Sequence, residues 1–406
     1  MNINFNELAA KYKTPFYIYN FDEIKENYNN LKSSFKARKS LVCYAVKANS
    51  NLSLLKTLAK EGSGADCVSI GEVKRAIKAG ISNYKIIFSG VGKSDDEITE
   101  ALNLDILMIN VESFAELERI EFIATNLDKC ARISIRVNPN IDPKTHPYIS
   151  TGLHENKFGV DIDTAKRMYI KAKNSKFLDP VGIHSHIGSQ MTDLRPIKEA
   201  VNIVADLARN LKAIDIDIKF FDVGGGIGIC YKDEITINPQ DYAQTILDAM
   251  KGLDATVVCE PGRYIVGNAG TFITKVLYEK NNGGKRFVIV DGAMNDLIRP
   301  SLYNAYHKIE VLGKSSVEND EICNVVGPVC ESGDFFAKNI VLPKTEHNDL
   351  ICINSAGAYG FTMSSNYNTR SKVAELAIEN GQIRQIRKRD SFEDMISNEL
   401  EFLGED

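Results

Sequence analysis

The sequence lacks any long apolar run. No segment of its 406 residues approaches the roughly 18 consecutive apolar residues that a membrane-spanning helix needs. The amino terminus, MNINFNELAAKYKTPF, has no basic region followed by an apolar core, the pattern that a secretory signal would show. We therefore expect a cytoplasmic protein with no membrane partner.

An excess of positive charge is also missing. The chain has 49 Lys and Arg against 54 Asp and Glu, which gives a formal net charge of -5. Nucleic-acid-binding proteins usually carry a basic surface, so this balance argues against nucleic acid as the main partner. A small molecule is the expected ligand.

Closely spaced cysteine pairs are absent as well. None of the eight cysteines forms a CxxC motif, and Cys43, Cys67, Cys259 and Cys352 lie inside apolar runs. This pattern is typical of small core residues in a reducing compartment, and it argues against a disulfide framework or a structural zinc site.

The chain does show a regular alternation of short apolar runs and amphipathic stretches between about residues 40 and 265. The eight predicted strands are 41–46, 65–68, 85–88, 106–109, 133–137, 182–186, 220–223 and 256–259. Eight strands alternating with helices favour a (β/α)8 TIM-like barrel over an open doubly wound sheet. We expect a second domain, because the chain is too long for one ordinary core.

After about residue 270 the pattern changes to the period-two alternation of β-strands. Gly283-Gly284 and Asn380-Gly381 predict hairpin turns, so this part is expected to be a mostly-β domain. The apolar run from Pro15 to Tyr19 predicts a strand that pairs with it. The predicted domains are residues 1–25 for this strand, 26–268 for the barrel and 269–406 for the β domain.

A polar residue or a glycine stands at or near the carboxyl end of every predicted barrel strand. Active sites of such barrels lie at the carboxyl ends of the strands. Loops are polar in any fold, but the agreement along one rim favours a site there. The residues are Lys47, Asp66, Ser89, Asn110, Asn138, His186, the Gly224–Gly226 run and Glu260.

Three of these strand ends suit the parts of an aldehyde cofactor that carries a phosphate and a pyridine ring. A partly desolvated Lys47 has a lowered pKa and can attack an aldehyde. The amides of the glycine run suit a phosphate, and Glu260 can keep a ring nitrogen protonated. The alternatives are a surface lysine, a plain turn or dinucleotide-binding loop, and a salt bridge between Glu260 and Arg263.

Two further motifs carry candidate functional groups. His184-Ser185-His186 has a spacing that could bind zinc, but no third ligand of matching kind lies nearby in the sequence, so His186 is expected to stack on the cofactor ring and Ser189 to donate to its phosphate. Cys330, between a rigid turn and polar residues, is either an acid/base group or a free structural cysteine.

The chain resembles the fold-type III pyridoxal-phosphate-dependent decarboxylases over nearly its whole length. The motifs are YAVKAN at 44–49, HSHIGS at 184–189, the triple glycine at 224–226, EPGR at 260–263 and GPVCESGD at 327–334. They are most similar to those of the members that act on diaminopimelate. The resemblance implies pyridoxal 5'-phosphate as cofactor, decarboxylation of meso-2,6-diaminopimelate to L-lysine, and a head-to-tail homodimer with active sites shared across the interface.

The resemblance also assigns roles to individual residues, and no metal is implied. Lys47 would bind the cofactor covalently, and Cys330 of the partner subunit would act as the proton donor. The implied cofactor-binding residues are Lys47, Asp66, His186, Ser189, Gly224, Gly225, Gly226, Glu260, Pro261, Gly262, Arg263 and Tyr359. The implied residues for the amino-acid substrate are Arg263, Arg299, Tyr303, Glu331 and Tyr359.

Four alternatives remain on the same scaffold. Ornithine- or arginine-type decarboxylases resemble one another in an aspartate directly after the cysteine, where this chain has Glu331, and a carboxynorspermidine-type enzyme fits the CESGD string poorly. An amino-acid racemase commonly has an arginine at the pyridine nitrogen, where this chain has Glu260. A non-catalytic binding homologue would be expected to lack Lys47 or Cys330.

Overall fold

The computed structural model describes residues 4–36, 38–142, 151–152, 156–314 and 321–404. The chain forms two compact units. The first, called the barrel unit here, comprises Lys25–Cys230 and Glu234–Ile265. The second, the β unit, comprises Met1–Ile24, Tyr231–Asp233 and Val266–Asp406. None of the helices in the described part of the chain combines the length and apolar character of a membrane-spanning segment.

The secondary structure elements are numbered in chain order. The strands are β1 (Phe16–Asn20), β2 (Ser40–Ala45), β3 (Gly64–Cys67), β4 (Ile86–Phe88), β5 (Met108–Val111), β6 (Ala131–Arg136), β7 (Leu178–His184), β8 (Phe220–Asp222), β9 (Thr256–Cys259), β10 (Gly270–Asn282), β11 (Lys285–Val290), β12 (Ile309–Val311), β13 (Glu321–Val326), β14 (Phe335–Leu342), β15 (Leu350–Ile353), β16 (Ala374–Glu379) and β17 (Gln382–Arg387). The helices are α1 (Phe5–Tyr12), α2 (Phe21–Ser34), α3 (Leu52–Lys60), α4 (Ile70–Lys78), α5 (Asp95–Asn103), α6 (Phe114–Asn126), α7 (Ile162–Lys173), α8 (Leu194–Lys212), α9 (Pro239–Ala249), α10 (Arg263–Val266), α11 (Arg299–Tyr303) and α12 (Phe392–Ile396).

The barrel unit is a closed parallel barrel of β2 to β9 in sequence order. The barrel closes where β2 pairs with β9, with Val42 opposite Cys259. A polar side chain caps the amino terminus of each helix that follows a barrel strand from α3 to α9, which fixes where these helices begin. The capping residues are Asn51, Ser69, Ser94, Ser113, Asp161, Asp193 and Asn238. The predicted (β/α)8 barrel is confirmed.

An apolar cluster fills one part of the barrel unit. Buried polar side chains lie beyond it, toward the carboxyl ends of the strands. Cys43, Ile87, Met108 and Val258 belong to one buried cluster, together with Leu107 and Val181. Side chains two positions apart on a strand share a face. The residues two positions after Ile87, Met108 and Val258 are Ser89, Asn110 and Glu260, and all three are buried. Polar groups are therefore placed above an apolar base, at the carboxyl ends of the strands.

The β unit is built on one sheet with the strand order β14-β13-β11-β10-β1-β16-β17, and β15 pairs with both β10 and β12. Strand β1 lies antiparallel to β10 and parallel to β16. The hairpins β10–β11 and β16–β17 turn at Gly283-Gly284 and Asn380-Gly381, where all four residues have positive φ. Two-residue hairpin loops of this kind require that backbone conformation. The predicted mostly-β carboxy-terminal domain is confirmed.

Candidate active site

Lys47 lies in a single 3-10 turn, Val46–Ala48, that follows β2. The sequence analysis placed this lysine directly at the end of a strand that ran to Val46, which is wrong because β2 ends at Ala45. The Lys47 Nζ donates to Asp66 Oδ2 at 3.1 Å, and the two side chains are 39% and 1% exposed. The amine is therefore paired with a buried carboxylate and remains accessible at the rim of the barrel.

The glycine run after β8 contacts the turn after β9. Glu260 N donates to Gly224 O at 2.8 Å, and a Cβ on Gly225 would lie 2.1 Å from Glu260 O. Only glycine permits this approach of two backbone segments. The turn also contacts the Lys47 segment, because Ala45 N donates to Pro261 O at 3.1 Å. The lysine, the glycine run and the acid thus lie at one rim.

Backbone amides in this region differ in their acceptors. Gly224 N donates to Asp222 Oδ1 at 2.9 Å, and Gly225 N donates to His186 Nδ1 at 3.1 Å. The amides of Gly226 and Gly262 donate to no acceptor among the described residues. Buried or partly buried amides are normally paired, so these two N–H groups, which follow two different strands, are available to a bound group.

Two further buried titratable groups, His184 and Asp222, lie close to Glu260. His184 Nε2 is 3.2 Å from Glu260 Oε2, and their side chains are 1% and 5% exposed. His184, Asp222 and Glu260 each offer one potential metal-ligating atom, and these atoms all lie within 4.8 Å of one another. Sequence reasoning missed His184 and Asp222 as neighbours of Glu260, although alternation along β7 and β8 could have placed them on the inner face.

The electrostatics of this cluster assign its charge. Burial alone would raise the pKa of Glu260, but the charge and hydrogen bond of His184 and the charge of Lys47 outweigh it and lower that pKa to about 2. Burial and the charge of Glu260 raise the pKa of Asp222 well above its usual value. The two pKa values are shifted in opposite directions, which favours the negative charge on Glu260 over Asp222.

Burial also raises the pKa of Asp66, with the charge of Glu260 acting in the same direction and Lys47 opposing it. His186 differs, because burial and the positive charges of Arg136 and Lys47 lower its pKa well below the usual value. Its Nδ1 accepts from Gly225, so the neutral ring carries its proton on Nε2. His186 is a neutral flat ring held at the rim.

The metal interpretation of the two histidines changes in the structure. The sequence showed no third ligand, but Asp222 and Glu260 come within ligand distance of His184. His186 instead faces the glycine run through its bond to Gly225. Among the described residues, His184 therefore lies with two carboxylates, while His186 contacts the glycine run.

Ser189 and Arg263 are also brought to this rim. Arg263, the first residue of α10, donates from Nη2 to Ser189 Oγ at 3.3 Å and is buried. A buried ion pair that the sequence did not predict lies beside His186: Arg136 Nη1 donates to Glu112 Oε1 at 2.8 Å, and Arg136 Nη2 donates to His186 O at 3.4 Å. Arg136 ends β6 and Glu112 directly follows β5, and neither residue belongs to a sequence motif that would have predicted the pair.

The remaining candidates belong to the β unit. Cys330 and Glu331 lie in an exposed loop, where Cys330 N donates to Asn368 Oδ1 at 3.1 Å. Helix α11, which carries Arg299 and Tyr303, contacts this loop because Ser301 Oγ donates to Gly333 O at 2.5 Å. Tyr359 has a left-handed backbone conformation with φ 57°. Within this unit Arg299, Tyr303, Cys330 and Glu331 therefore lie on contacting segments.

Known proteins resemble the chain over almost all of its length. Residues 21–267 match the family model described as "Pyridoxal-dependent decarboxylase, pyridoxal binding domain". A diaminopimelate decarboxylase of Campylobacter jejuni is 62% identical over 402 residues, which are 99% of this chain and 100% of that protein. One of Helicobacter pylori is 59% identical over 400 residues, covering 98% and 99%.

A solved structure is similar to the same extent. The crystal structure of diaminopimelate decarboxylase from Helicobacter pylori complexed with L-lysine matches with a TM-score of 0.96 and 59% sequence identity. The match covers 98% of this chain and 100% of that one, so it includes both the barrel and the β unit.

Proposed function

Because the chain belongs to the pyridoxal-dependent decarboxylases and to the diaminopimelate decarboxylases within them, we propose that it converts meso-2,6-diaminopimelate to L-lysine and carbon dioxide. It is a carboxy-lyase whose cofactor is pyridoxal phosphate. The observation that carries the proposal is the convergence of Lys47, the glycine run and an ionised Glu260 at one rim of the barrel.

The residues at this rim fit the cofactor. The amides of Gly226 and Gly262, which have no acceptor among the described residues, suit a phosphate. The accessible amine of Lys47 suits an aldehyde, and the buried carboxylate of Glu260 suits a protonated ring nitrogen. We assign the neutral ring of His186 to stacking on the cofactor, and Ser189 and Arg263 to its phosphate end.

Bound pyridoxal phosphate supplies an aldehyde that links to an amino group and a protonated ring that accepts the electron pair left by the departing carbon dioxide. The protein residues do the rest. Lys47 would hold the cofactor through its amine, at the position where the substrate amine would also bind. Glu260 remains ionised because His184 is beside it, and it holds the proton at the pyridine nitrogen. Fixed geometry at the rim selects which bond is broken.

We assign the substrate contacts to Arg263, Arg299, Tyr303, Glu331 and Tyr359. Two arginines suit a substrate with two carboxylates, since a guanidinium binds a carboxylate through paired N–H donors. Cys330 donates a proton to the carbon that has lost its carboxylate. We place Cys330, Glu331 and Tyr359 in the site of the partner subunit of a cytoplasmic homodimer.

Three specific features favour this function over its alternatives. Glu331 directly follows Cys330, where ornithine- and arginine-type enzymes resemble one another in an aspartate. The carboxylate of Glu260, kept ionised by its neighbours, supports a decarboxylase over a racemase, which commonly pairs the ring nitrogen with an arginine. Lys47 and Cys330 are both present, as catalysis requires.

The test is an assay of the purified protein with pyridoxal phosphate and meso-2,6-diaminopimelate, in which released carbon dioxide and L-lysine are measured together. We expect equal amounts of both products, and neither from Lys47→Ala protein. Turnover of ornithine with none of meso-diaminopimelate would contradict the substrate assignment. Loss of optical activity without carbon dioxide release would identify a racemase instead.

A further inference from the structure

Arg299 is held by a histidine to which the sequence analysis gave no role. Arg299 Nη1 lies 3.0 Å from His307 Nε2, and His307 Nδ1 lies 2.8 Å from Asn354 O. Arg299 and His307 are 6% and 3% exposed. Both belong to the β unit, and neither contact depends on a residue of the barrel unit.

The sheet places His307 where it can make this contact. Strands β12 and β15 are antiparallel with Ile309 opposite Ile353, so the residues just before β12 face those just after β15. Asn354 N donates to Lys308 O at 2.9 Å, which continues the pairing by one step. His307, one residue further from the strand, therefore meets the carbonyl of Asn354.

The partners of His307 fix its tautomer. A carbonyl oxygen only accepts, so His307 Nδ1 carries the proton and donates to Asn354 O. The lone pair of Nε2 is then directed at Arg299, whose guanidinium only donates. A neutral imidazole in this one tautomer satisfies both neighbours.

An aromatic ring holds the guanidinium from a second direction. Arg299 Cζ lies 5.0 Å from the ring centroid of Tyr231, a cation–π distance. The rings of Tyr231 and His307 meet edge to face, with centroids 5.7 Å apart and planes at 85°. The plane of the Arg299 guanidinium is thus fixed by an imidazole at its edge and a phenol at its face.

We propose that His307 is a positioning residue that orients Arg299 toward the substrate carboxylate that is retained in the product. The inference rests on the proposed function, which places Arg299 in the substrate site. Pairing with arginine stabilises a carboxylate in the ground state and would slow its departure as carbon dioxide, so Arg299 suits the carboxylate that stays. Orientation by His307 then sets the affinity for substrate and product alike.

The test compares two variants that separate the two contacts of His307. His307→Asn keeps an N–H near the Asn354 carbonyl but is too short to reach Arg299. His307→Gln extends a carbonyl oxygen that can still accept from Arg299. Steady-state kinetics give kcat and KM for meso-diaminopimelate, and competition gives the inhibition constant of L-lysine. Thermal unfolding and the absorbance of bound cofactor verify that each variant is folded and loaded.

For His307→Asn we expect KM and the L-lysine inhibition constant to rise together by about tenfold or more, the size typical of a lost hydrogen bond to a charged group. The value of kcat should stay within about threefold, because the lost interaction is made equally before and during reaction. His307→Gln should stay near the parent protein in all three constants. If His307→Asn does not fold, His307→Phe removes the same acceptor and serves in its place.

Arg299→Lys provides the reference that separates this inference from the proposed function. If Arg299→Lys raises both constants and the histidine variants raise neither, His307 does not position the arginine and the inference is wrong. If KM rises in His307→Asn while the L-lysine inhibition constant stays constant, the retained carboxylate is not the one that Arg299 binds. If Arg299→Lys itself changes nothing, the placement of Arg299 in the substrate site fails instead.

Discussion

Asp222 and Glu260 are two carboxylates buried side by side. Asp222 has no solvent exposure, and Glu260 is 6% exposed. A pair of this kind cannot be doubly charged without a large cost, so one member keeps a proton. His184 contacts Glu260, and this contact decides which of the two is ionised. The ionised carboxylate is therefore the one that we assign to the ring nitrogen of the cofactor, where a negative charge stabilises the protonated ring.

We predict that Asp222→Asn flattens the pH dependence of stability of the cofactor-free protein. The folded-state pKa of Asp222 lies above its unfolded value, so the folded protein binds the extra proton between these two values. In that window the free energy of unfolding falls with rising pH, by at most about 1.4 kcal/mol per pH unit for one group. Asparagine mimics the protonated acid and removes this slope. Urea unfolding between about pH 5 and pH 8 measures it.

Asp163→Asn is the matched control, because the Asp163 side chain is 88% exposed and lies on the outer helix α7. Its stability should run parallel to that of the parent protein across the same pH range. Parallel curves for Asp222→Asn as well would show that Asp222 does not hold the proton in the folded state, and that the charge in the pair is distributed differently.

Cys330 is expected to act in turnover and not in cofactor binding. Cys330→Ala should keep the borohydride-sensitive absorbance of bound cofactor and lose about 10²- to 10⁴-fold in kcat, the usual effect of removing a general acid. Cys130→Ala is the control, since Cys130 is also a free, exposed cysteine but lies in the barrel unit at the amino-terminal side of β6. Unchanged kcat in Cys330→Ala would remove the proton-donor role.

Individual residues differ in how far the sequence could identify them. Lys47, the glycine run and Glu260 stand at motif positions after apolar strands, so their types and places were both visible. His184, Asp222 and Arg136 are the last residues of β7, β8 and β6, where a polar side chain can face either side of the barrel wall. Their importance follows from which inner-face neighbours the closed barrel brings within a few ångströms, and a linear pattern does not contain that information.

At the scale of elements, the contact between the glycine run and the turn after β9 leaves no room for a side chain. We predict that Gly225→Ala separates them, since the added Cβ would lie 2.1 Å from Glu260 O. Overpacking of this kind costs about 1–3 kcal/mol or more, and here it also displaces the segment assigned to the phosphate. The affinity for pyridoxal phosphate, followed by fluorescence titration, should fall sharply.

Gly92→Ala is the control for this substitution. A Cβ on Gly92 meets nothing within 4 Å, and its backbone is not in the left-handed region. Its stability and cofactor affinity should change by no more than about 0.5 kcal/mol. Full cofactor affinity in Gly225→Ala would show that the two strand ends can move apart without cost, and that their contact does not shape the phosphate site.

Elements that belong to a repeated pattern or flank a turn motif were predictable, and isolated short elements were not. The eight barrel strands follow from a repeated apolar run and helix, and the two hairpins follow from turn pairs that require positive φ. The strand β12 has three residues and α11 has five, too few for any periodicity to show. The 3-10 turn that carries Lys47 is likewise set by contacts, including the bond between Ala45 and Pro261.

At the scale of the whole molecule, the candidate residues are divided between two units. Lys47 and the rim to which we assign the cofactor lie in the barrel unit, while Cys330 and Glu331 lie in an exposed loop of the β unit. An exposed general acid works poorly in water, because a catalytic proton donor needs a desolvated, oriented position. A second copy of the chain that covers this loop would supply that position, which is the physical reason to propose a shared site.

We predict that mixing Lys47→Ala protein with Cys330→Ala protein restores activity that neither has alone. In a dimer whose sites each take Lys47 from one subunit and Cys330 from the other, every mixed dimer has one intact site and one doubly defective site. Random exchange makes half of the dimers mixed, so about a quarter of all sites should be intact by twofold symmetry. Mixing Lys47→Ala with protein that carries both substitutions should restore nothing, because no intact site can form. If exchange is verified by mass-tagged subunits and the first mixture stays inactive, each site takes both residues from one chain, and Cys330 must then reach the barrel of its own subunit.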